Sequence, residues 1–226
     1  NYKNTMITAI ILAKNEEKNI QRCISSVAFC DEVLIIDDGS TDTTKEIVLK
    51  NNAKFVSHEL RGNFSQQRNF ALSIAKNDWI LFVYADEVVS DKLRDEIVQG
   101  VNADNVNGYY IRRHDYMFQR KLEYGEFMNK KFIRLGRKNK GNWEGAVHES
   151  WNIQGITAVL LGDLSHYPHQ TLSEFLAEIN FYTTLRAEEL YKNGSTASVF
   201  SILSYTKAKF IQTYFFKAGF LDGTPG

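Results

Sequence analysis

The sequence has little cysteine, little proline, no net charge and no long apolar run. Its 226 residues hold two cysteines, Cys23 and Cys30. They are too few for a disulfide scaffold and follow no zinc-ligand spacing, which points to a reducing compartment. Two prolines and 14 glycines exclude collagen-like sequence. Lys+Arg and Asp+Glu both count 27, so the chain lacks the basic excess that draws proteins to nucleic acid, and no nucleic-acid partner is expected. The apolar stretch from Ile7 to Ala13 is interrupted by Thr8 and followed at once by Lys14-Asn15-Glu16-Glu17, too short for a membrane span or a secretory signal. The sequence opens on Asn1 rather than Met, from which a trimmed N-terminus is expected. Neither GxGxxG nor GxxxxGK[ST] is present, so dinucleotide dehydrogenases and P-loop NTPases lose their usual support.

What remains is an ordinary globular composition, 43% hydrophobic and 24% charged, long enough for one or two domains and a sizeable core. The first 90 residues alternate apolar runs with helical spacing. Strands are expected at 5–13, 32–36, 54–57 and 79–83, and helices at 16–27, 41–50 and 65–75, with Thr41 and Asp42 as caps of the second helix. That alternation predicts a parallel sheet built from βαβ units. Further on, a short helix is expected at 91–98 and strands at 108–113, 131–134, 146–151 and 158–161. The Gly-, Asn- and Lys-rich stretch 136–145 reads as a loop, and His166-Tyr-Pro-His169 as a turn with structural histidines. Thr171-Leu-Ser-Glu174 reads as a capping box opening a helix that ends at Asn193-Gly194.

In an open parallel sheet, ligands bind beyond the carboxyl ends of the strands. Those ends carry polar clusters here: Lys14-Asn15-Glu16, Asp37-Asp38-Gly39-Ser40 and Tyr84-Ala85-Asp86-Glu87. Strand termination and helix capping explain each cluster singly; the three together point to a ligand. A carboxylate such as Asp38 suits the N–H of a pyrimidine ring. Asp86 and its neighbours are hard oxygen ligands for Mg²⁺ or Mn²⁺, which in turn hold a diphosphate.

These residues resemble glycosyltransferase family 2. The resemblance lies in Ile11-Leu-Ala-Lys-Asn-Glu-Glu17, Asp31-Glu-Val-Leu-Ile-Ile-Asp-Asp-Gly-Ser-Thr-Asp42 and Ala85-Asp-Glu-Val-Val-Ser90, and covers nearly the whole chain. Val147-His-Glu149 and Gly219-Phe-Leu-Asp-Gly223, followed by Gly226, resemble the lipopolysaccharide core glucosyltransferases within that family, whose members usually run on further. The resemblance implies an α/β chain of the GT-A fold, a Rossmann-like, mostly parallel sheet flanked by helices. It divides as a catalytic domain over 1–170, with residues 1–90 binding the nucleotide and residues 91–170 the acceptor, and a helical C-terminal extension over 171–226.

By the same resemblance, Asn15 and Glu16 line the nucleoside pocket, Asp38 reads the uracil and Asp37 supports its turn. Arg68 approaches the nucleotide, and Tyr84, Ala85 and Asp86 face the donor. Asp86 and His148 bind the metal, Mg²⁺ or Mn²⁺, and Glu149 takes the proton of the acceptor hydroxyl. The implied reaction is inverting transfer of a hexose, glucose first, from a UDP-sugar to a lipopolysaccharide core or similar glycan or glycolipid acceptor. The implied setting is cytoplasmic, with peripheral membrane contact through the aromatic C-terminal helices; a helix face packed on the catalytic domain is the other reading of those aromatics.

The departure is Tyr84, which stands where the family's Asp-x-Asp motif has its first acid. Either it weakens the site or this branch tolerates it. Two rival classes stand beside the transferase: a sugar-phosphate nucleotidyltransferase, for which the glycine-rich loop is missing, and a nucleotide-sugar-binding protein with impaired catalysis. His148 and Glu149 have alternatives of their own, a core histidine and a salt-bridged surface glutamate.

Overall fold

The computed structural model describes residues 5–117, 120–125, 130–145, 149–169 and 171–223. They form two compact units, one of 5–113 with 131–166 and one of 114–130 with 167–223.

The first unit begins as the apolar periodicity requires. Strands β1 (Ile7–Ala13), β2 (Glu32–Asp37), β3 (Lys54–Ser57) and β4 (Trp79–Tyr84) alternate with helices α1 (Ile20–Ser26), α2 (Thr44–Lys50) and α3 (Phe64–Ile74). All pairings among these four strands are parallel, in the order β3-β2-β1-β4. The chain then adds β5 (Glu87–Val89), α4 (Asp91–Gly100), β6 (Gly108–Met117), β7 (Arg120–Leu122), β8 (Lys131–Arg137), β9 (Gly141–Glu144), β10 (Ser150–Ile153) and β11 (Thr157–His169). Beyond β4 the sheet runs β8-β6-β11-β5, and the registered pairings there are antiparallel. The parallel character thus stops at β4.

Alternate residues of the central strands enter two cores. Ile7, Ala9 and Ile11 of β1 and Trp79, Leu81 and Val83 of β4 pack with α1, α2 and α4. Ile10, Leu34, Ile36, Ile80 and Phe82 point the other way, onto α3 and the β9–β10 hairpin. Burial on both faces explains why these strands read as continuous apolar runs. The hairpin shares the cover of this face with α3. Its cross-strand pair Trp143 and Trp151 stacks at 5.7 Å, and Phe82 meets both edge-on at 5.1 and 5.2 Å. Gly136 makes room for it, because a Cβ there would come within 2.9 Å of Ile153 and Trp151.

Four expectations are corrected. The first helix starts at Ile20, not Glu16, because the amides of Glu16 and Glu17 are drawn to Thr44 Oγ1 (2.8 Å) at the start of α2 and to Asp42 Oδ2 (3.1 Å) in the loop before it. The second starts at Thr44, since the Thr41 amide donates to Asn15 Oδ1 (2.8 Å) instead of opening a helix; Asp42 does accept the first-turn amide of Thr44 at 3.0 Å. The stretch 136–145 is the end of β8, a 3-10 turn and strand β9 rather than a loop. His166 to His169 continue β11 instead of turning.

In the second unit, the outer end of β6 pairs with β7. Helix α5 (Leu172–Lys192) opens with the expected capping box, Thr171 and Glu174 each bonded to the other's backbone. Helix α6 (Val199–Phe210) follows, and a π-helical segment, Ile211–Phe216, continues it. Asp222 is buried and takes the amides of Glu123 and Tyr124, the latter at 2.9 Å.

Candidate active site

The polar clusters at the strand ends form two groups. The first laces the ends of β1 and β2. Asn15 adopts a left-handed conformation (φ 56°), so its amide donates to Ser40 Oγ (2.8 Å) while its Oδ1 accepts from Thr41. Asp37 is buried and accepts from both the amide and the hydroxyl of Ser40, so it holds the turn instead of facing a ligand. Asp38 accepts the Leu60 amide (2.7 Å) and pairs with Lys14 (2.8 Å), an exposed ammonium. Glu16 accepts from Asn19 (3.0 Å) at the rim of this group.

The second group surrounds the end of β4. The turn Tyr84-Ala85-Asp86 is clamped by Glu87, whose Oε2 accepts the Tyr84 amide at 2.9 Å, and by the Cys23 thiol, which donates to the Tyr84 carbonyl at 3.1 Å. Burial, with Glu87, Asp86 and Glu16 nearby, pushes that thiol well above its ordinary range; burial also raises Cys30. Both shifts favour the protonated thiol over the reactive thiolate. Ala85 turns its methyl into the core, so only its backbone is available to a donor.

Glu87 is wholly buried and its Oε1 accepts from Arg134 Nη2 at 3.0 Å, with Arg113 Nη1 at 3.8 Å. Burial works against the Arg134 charge, but Glu87 first, then Tyr84 and Glu149, hold its pKa above the usual guanidinium value. The Arg134 guanidinium lies 4.0 Å from the centre of the Tyr84 ring. The Tyr84 hydroxyl accepts from Arg68 Nη2 at 2.6 Å, and the same nitrogen is 2.6 Å from Glu149 Oε1. Tyr84 is thus built into an arginine–carboxylate network in the place of the missing acid. Helix α3 and the hairpin assemble that network: Asn69 exchanges two 2.9 Å hydrogen bonds with the Trp143 backbone, which sets Arg68 beside the residue preceding β10. Because the phenol accepts from a buried charged donor, Tyr84→Phe is expected to cost about 1–3 kcal/mol of stability, read from urea unfolding midpoints. An unchanged midpoint would show that the hydroxyl is dispensable.

Asp86 points the other way along the turn and meets His166 Nε2 at 3.1 Å. The antiparallel register that sets His166 opposite Glu87 brings this about. Burial pushes the Asp86 carboxyl up, but His166, by charge and hydrogen bond, and then Arg113 outweigh it, leaving the group below the usual carboxylate range. Adjacent ligands on an octahedral ion with bonds of about 2.1 Å stand about 3 Å apart. The pair therefore fits a divalent cation replacing the shared proton. Among the described residues no cluster of three or more His, Cys, Asp or Glu offers a complete metal site, so the remaining ligands would be phosphate oxygens and water. His148, expected as the metal's imidazole, lies outside the described residues. His166, read from the sequence as structural, is the one beside Asp86.

A cavity of 470 Å³ opens next to this group, lined by Tyr84, Glu149, Trp143, Trp151 and a set of cationic and aromatic side chains from β6 and β8. Sequence reasoning missed Arg113, Arg134 and His166. Their only signal was the run of charges within β6, β8 and β11, which has no meaning until the strands are paired.

Comparison with known proteins bears on this arrangement. Residues 8–152 match the family model described as "Glycosyl transferase family 2". An uncharacterized glycosyltransferase of Rickettsia felis is 32% identical over 237 residues, covering 96% of this chain and 83% of the relative. The lipopolysaccharide core biosynthesis glycosyltransferase LpsC of Rhizobium meliloti is 27% identical over 92% of this chain and 80% of its own length. Among solved structures, glucosyl-3-phosphoglycerate synthase from Mycobacterium tuberculosis, in complex with Mn²⁺, UDP and glucosyl-3-phosphoglycerate, is similar with a TM-score of 0.56. The identity is 16%, over 86% of this chain and 82% of that one. S. aureus TarS 1-349 in complex with UDP-GlcNAc is similar with a TM-score of 0.52 at 18% identity, over 75% of this chain and 60% of that chain.

Proposed function

The chain belongs to glycosyl transferase family 2 and has the GT-A fold, and on that premise we propose that it transfers a hexose, glucose first, from a UDP-sugar to a hydroxyl of a lipopolysaccharide core or similar surface glycan, with inversion and with a divalent metal. One observation carries the reading: at the carboxyl end of β4, Asp86 with His166 and Tyr84 with Arg68 and Glu149 converge on one turn. Asn15, Glu16 and Asp38 form the nucleoside end, where Asp38 exchanges its exposed Lys14 partner for the uracil N–H. Arg68 stands at the diphosphate.

Asp86 and His166 would hold Mg²⁺ or Mn²⁺, which when bound offsets the charge on the departing diphosphate. Glu149 Oε1 is held by Arg68, which leaves Oε2 as the oxygen to offer a ligand. We assign that oxygen to the acceptor. It takes the hydroxyl proton as the hydroxyl oxygen bonds to the anomeric carbon and the bond to the diphosphate oxygen breaks, releasing UDP. One displacement inverts the centre, so no nucleophilic side chain is needed.

The test is calorimetric titration with UDP, with and without Mn²⁺, on this chain and on Tyr84→Asp. Binding by the chain as it stands, tighter with Mn²⁺, is expected, because the phenol is already integrated and Asp86 is intact. Binding only by Tyr84→Asp would mean a disabled site. No binding by either would overturn the donor assignment.

The reading includes a lipid-linked acceptor at a membrane surface. No helix among the described residues is long and apolar enough to cross a membrane. Phe200 and Phe216 are, however, 81% and 84% exposed, and Leu203, Tyr205 and Phe215 lie open near them. Between Glu189 and Asp222 the sequence has four lysines and no acid, a charge that suits anionic lipid headgroups and opposes pairing with a second copy of itself. At about 1 kcal/mol per basic residue, Lys207→Gln with Lys209→Gln should weaken sedimentation with phosphatidylglycerol vesicles roughly thirtyfold. Equal binding to phosphatidylcholine, or a mass that rises with protein concentration in the absence of lipid, would count against the membrane.

A further inference from the structure

Strand β8 departs from regular geometry at one residue. Tyr109 of β6 stands opposite Leu135, but Tyr110 stands opposite Ile133, so Arg134 is an extra residue without a cross-strand partner, a β-bulge. The pairing of β8 with β4 ends at the same place, Leu81 opposite Leu135. Residues two apart on a strand ordinarily share a face. Across this bulge they do not: Leu135 enters the core on the α1 side, whereas Ile133 packs on the α3 side. The irregularity re-aims the Arg134 side chain. Its buried guanidinium lies 4.0 Å from the centre of the Tyr84 ring and 5.5 Å from that of Phe132, with Nη2 3.0 Å from Glu87 Oε1.

Stability does not account for an arginine here. Its Nε and Nη1 are buried with no hydrogen-bond partner among the described residues, which costs folding free energy. A buried ion pair is often no more stabilising than apolar side chains of the same volume. What the arginine does supply is a support for Tyr84. The Tyr84 hydroxyl accepts from Arg68 Nη2 at 2.6 Å and is 3.5 Å from Glu149 Oε1, the oxygen that the same nitrogen holds at 2.6 Å. We infer that Arg134 is a positioning residue for sugar transfer: the bulge lays its guanidinium against the Tyr84 ring, and the ring holds its hydroxyl where Arg68 and Glu149 meet. A planar guanidinium suits that task and a lysine ammonium does not, because only the former can lie flat on a ring while its fork bonds a carboxylate. The inference rests on the transferase reading above, with Glu149 as the base, and adds to it the residue that sets that base in place.

The experiment measures release of UDP from UDP-glucose in Mn²⁺, with water as the acceptor, and UDP binding by calorimetry. Turnover is counted per UDP-binding site, so that misfolded protein does not enter kcat. Arg134→Lys keeps a charge for Glu87 and should lower kcat about 10²-fold, the scale on which an ångström of misplacement acts. KM for UDP-glucose and UDP affinity should stay unchanged, because Asp86 and the Glu87 clamp on the Tyr84 amide remain. Tyr84→Phe, which keeps the ring and removes the hydroxyl, should lower kcat by itself and far less in the Arg134→Lys background, since contacting residues that act as one unit are not additive. Arg134→Met combined with Glu87→Gln removes both buried charges, leaves an oxygen for the Tyr84 amide, and should show the same loss of kcat.

Native kcat per site in Arg134→Lys or in the paired variant would reduce Arg134 to a counter-ion of Glu87 and overturn the inference. So would losses by Tyr84→Phe and Arg134→Lys that simply multiply, or a loss that falls on UDP affinity instead of kcat. Should the paired variant not fold, Arg134→Lys decides alone. A native chain that binds UDP but releases none from UDP-glucose has no base to be positioned, which refutes the inference and spares the donor reading. A native chain that does not bind UDP refutes the donor reading and the inference with it.

Discussion

Glu149→Gln is expected to lower kcat for sugar transfer by about 10²–10⁴-fold, the usual contribution of a positioned general base, while UDP affinity stays nearly unchanged. Glutamine keeps the shape of the side chain and an oxygen for Arg68 Nη2, which is 2.6 Å from the carboxylate in the native protein. It cannot take a proton. Loss should therefore fall on kcat, not on donor KM. The competing role for Glu149 is purely that of counter-ion to Arg68, whose side chain is 2% exposed. In that case Glu149→Ala would lower stability by about 3–5 kcal/mol, as broken buried pairs do, and Glu149→Gln would keep most of its turnover. A glutamine variant with native kcat ends the base assignment.

Asp86→Asn should remove the metal dependence of donor binding. Asp86 is the carboxylate at the β4 turn that stands 3.1 Å from an imidazole; the neighbouring Glu87 is committed to Arg134 and the Tyr84 amide. Losing it should bring UDP affinity in Mn²⁺ down to the metal-free level and reduce kcat/KM on the order of 10²-fold or more, the scale on which preorganised electrostatic contacts act. His166→Ala should move in the same direction by a smaller amount, since the carboxylate remains. Titration of UDP with and without Mn²⁺ separates the outcomes. If Asp86→Asn still binds UDP more tightly with Mn²⁺, the metal is held elsewhere and the Asp86–His166 assignment falls.

Tyr84 shows how a motif departure changes meaning once it is placed. In the sequence it is only a missing acid. In the fold its ring supports Arg134 and its hydroxyl joins Arg68 beside Glu149. The position still organises charge at the strand end, through a neutral acceptor.

The strands and helices up to β4 were legible because each is encoded locally: an apolar run buried on both faces, then polar residues that end it. The same holds for the clusters at the strand ends and for the capping box at Thr171 and Glu174. Short β5 and β7, of three residues each, carry no period to read. Strand β9 was hidden in a stretch whose Gly, Asn and Lys look like a loop, because its Trp143 finds its purpose only against Trp151 and Phe82.

What the sequence by itself determined is the parallel half of the sheet, the polar clusters at its carboxyl edge, and through the motifs the family. The tertiary structure alone decided that His166 faces Asp86, that Arg134 and Arg113 share Glu87, and that Arg68 reaches Glu149. Each of those contacts depends on antiparallel register or on hairpin-to-helix packing between residues far apart in the chain. Such register is set by the side chains of both partners at once, and one segment read alone contains only half of that information.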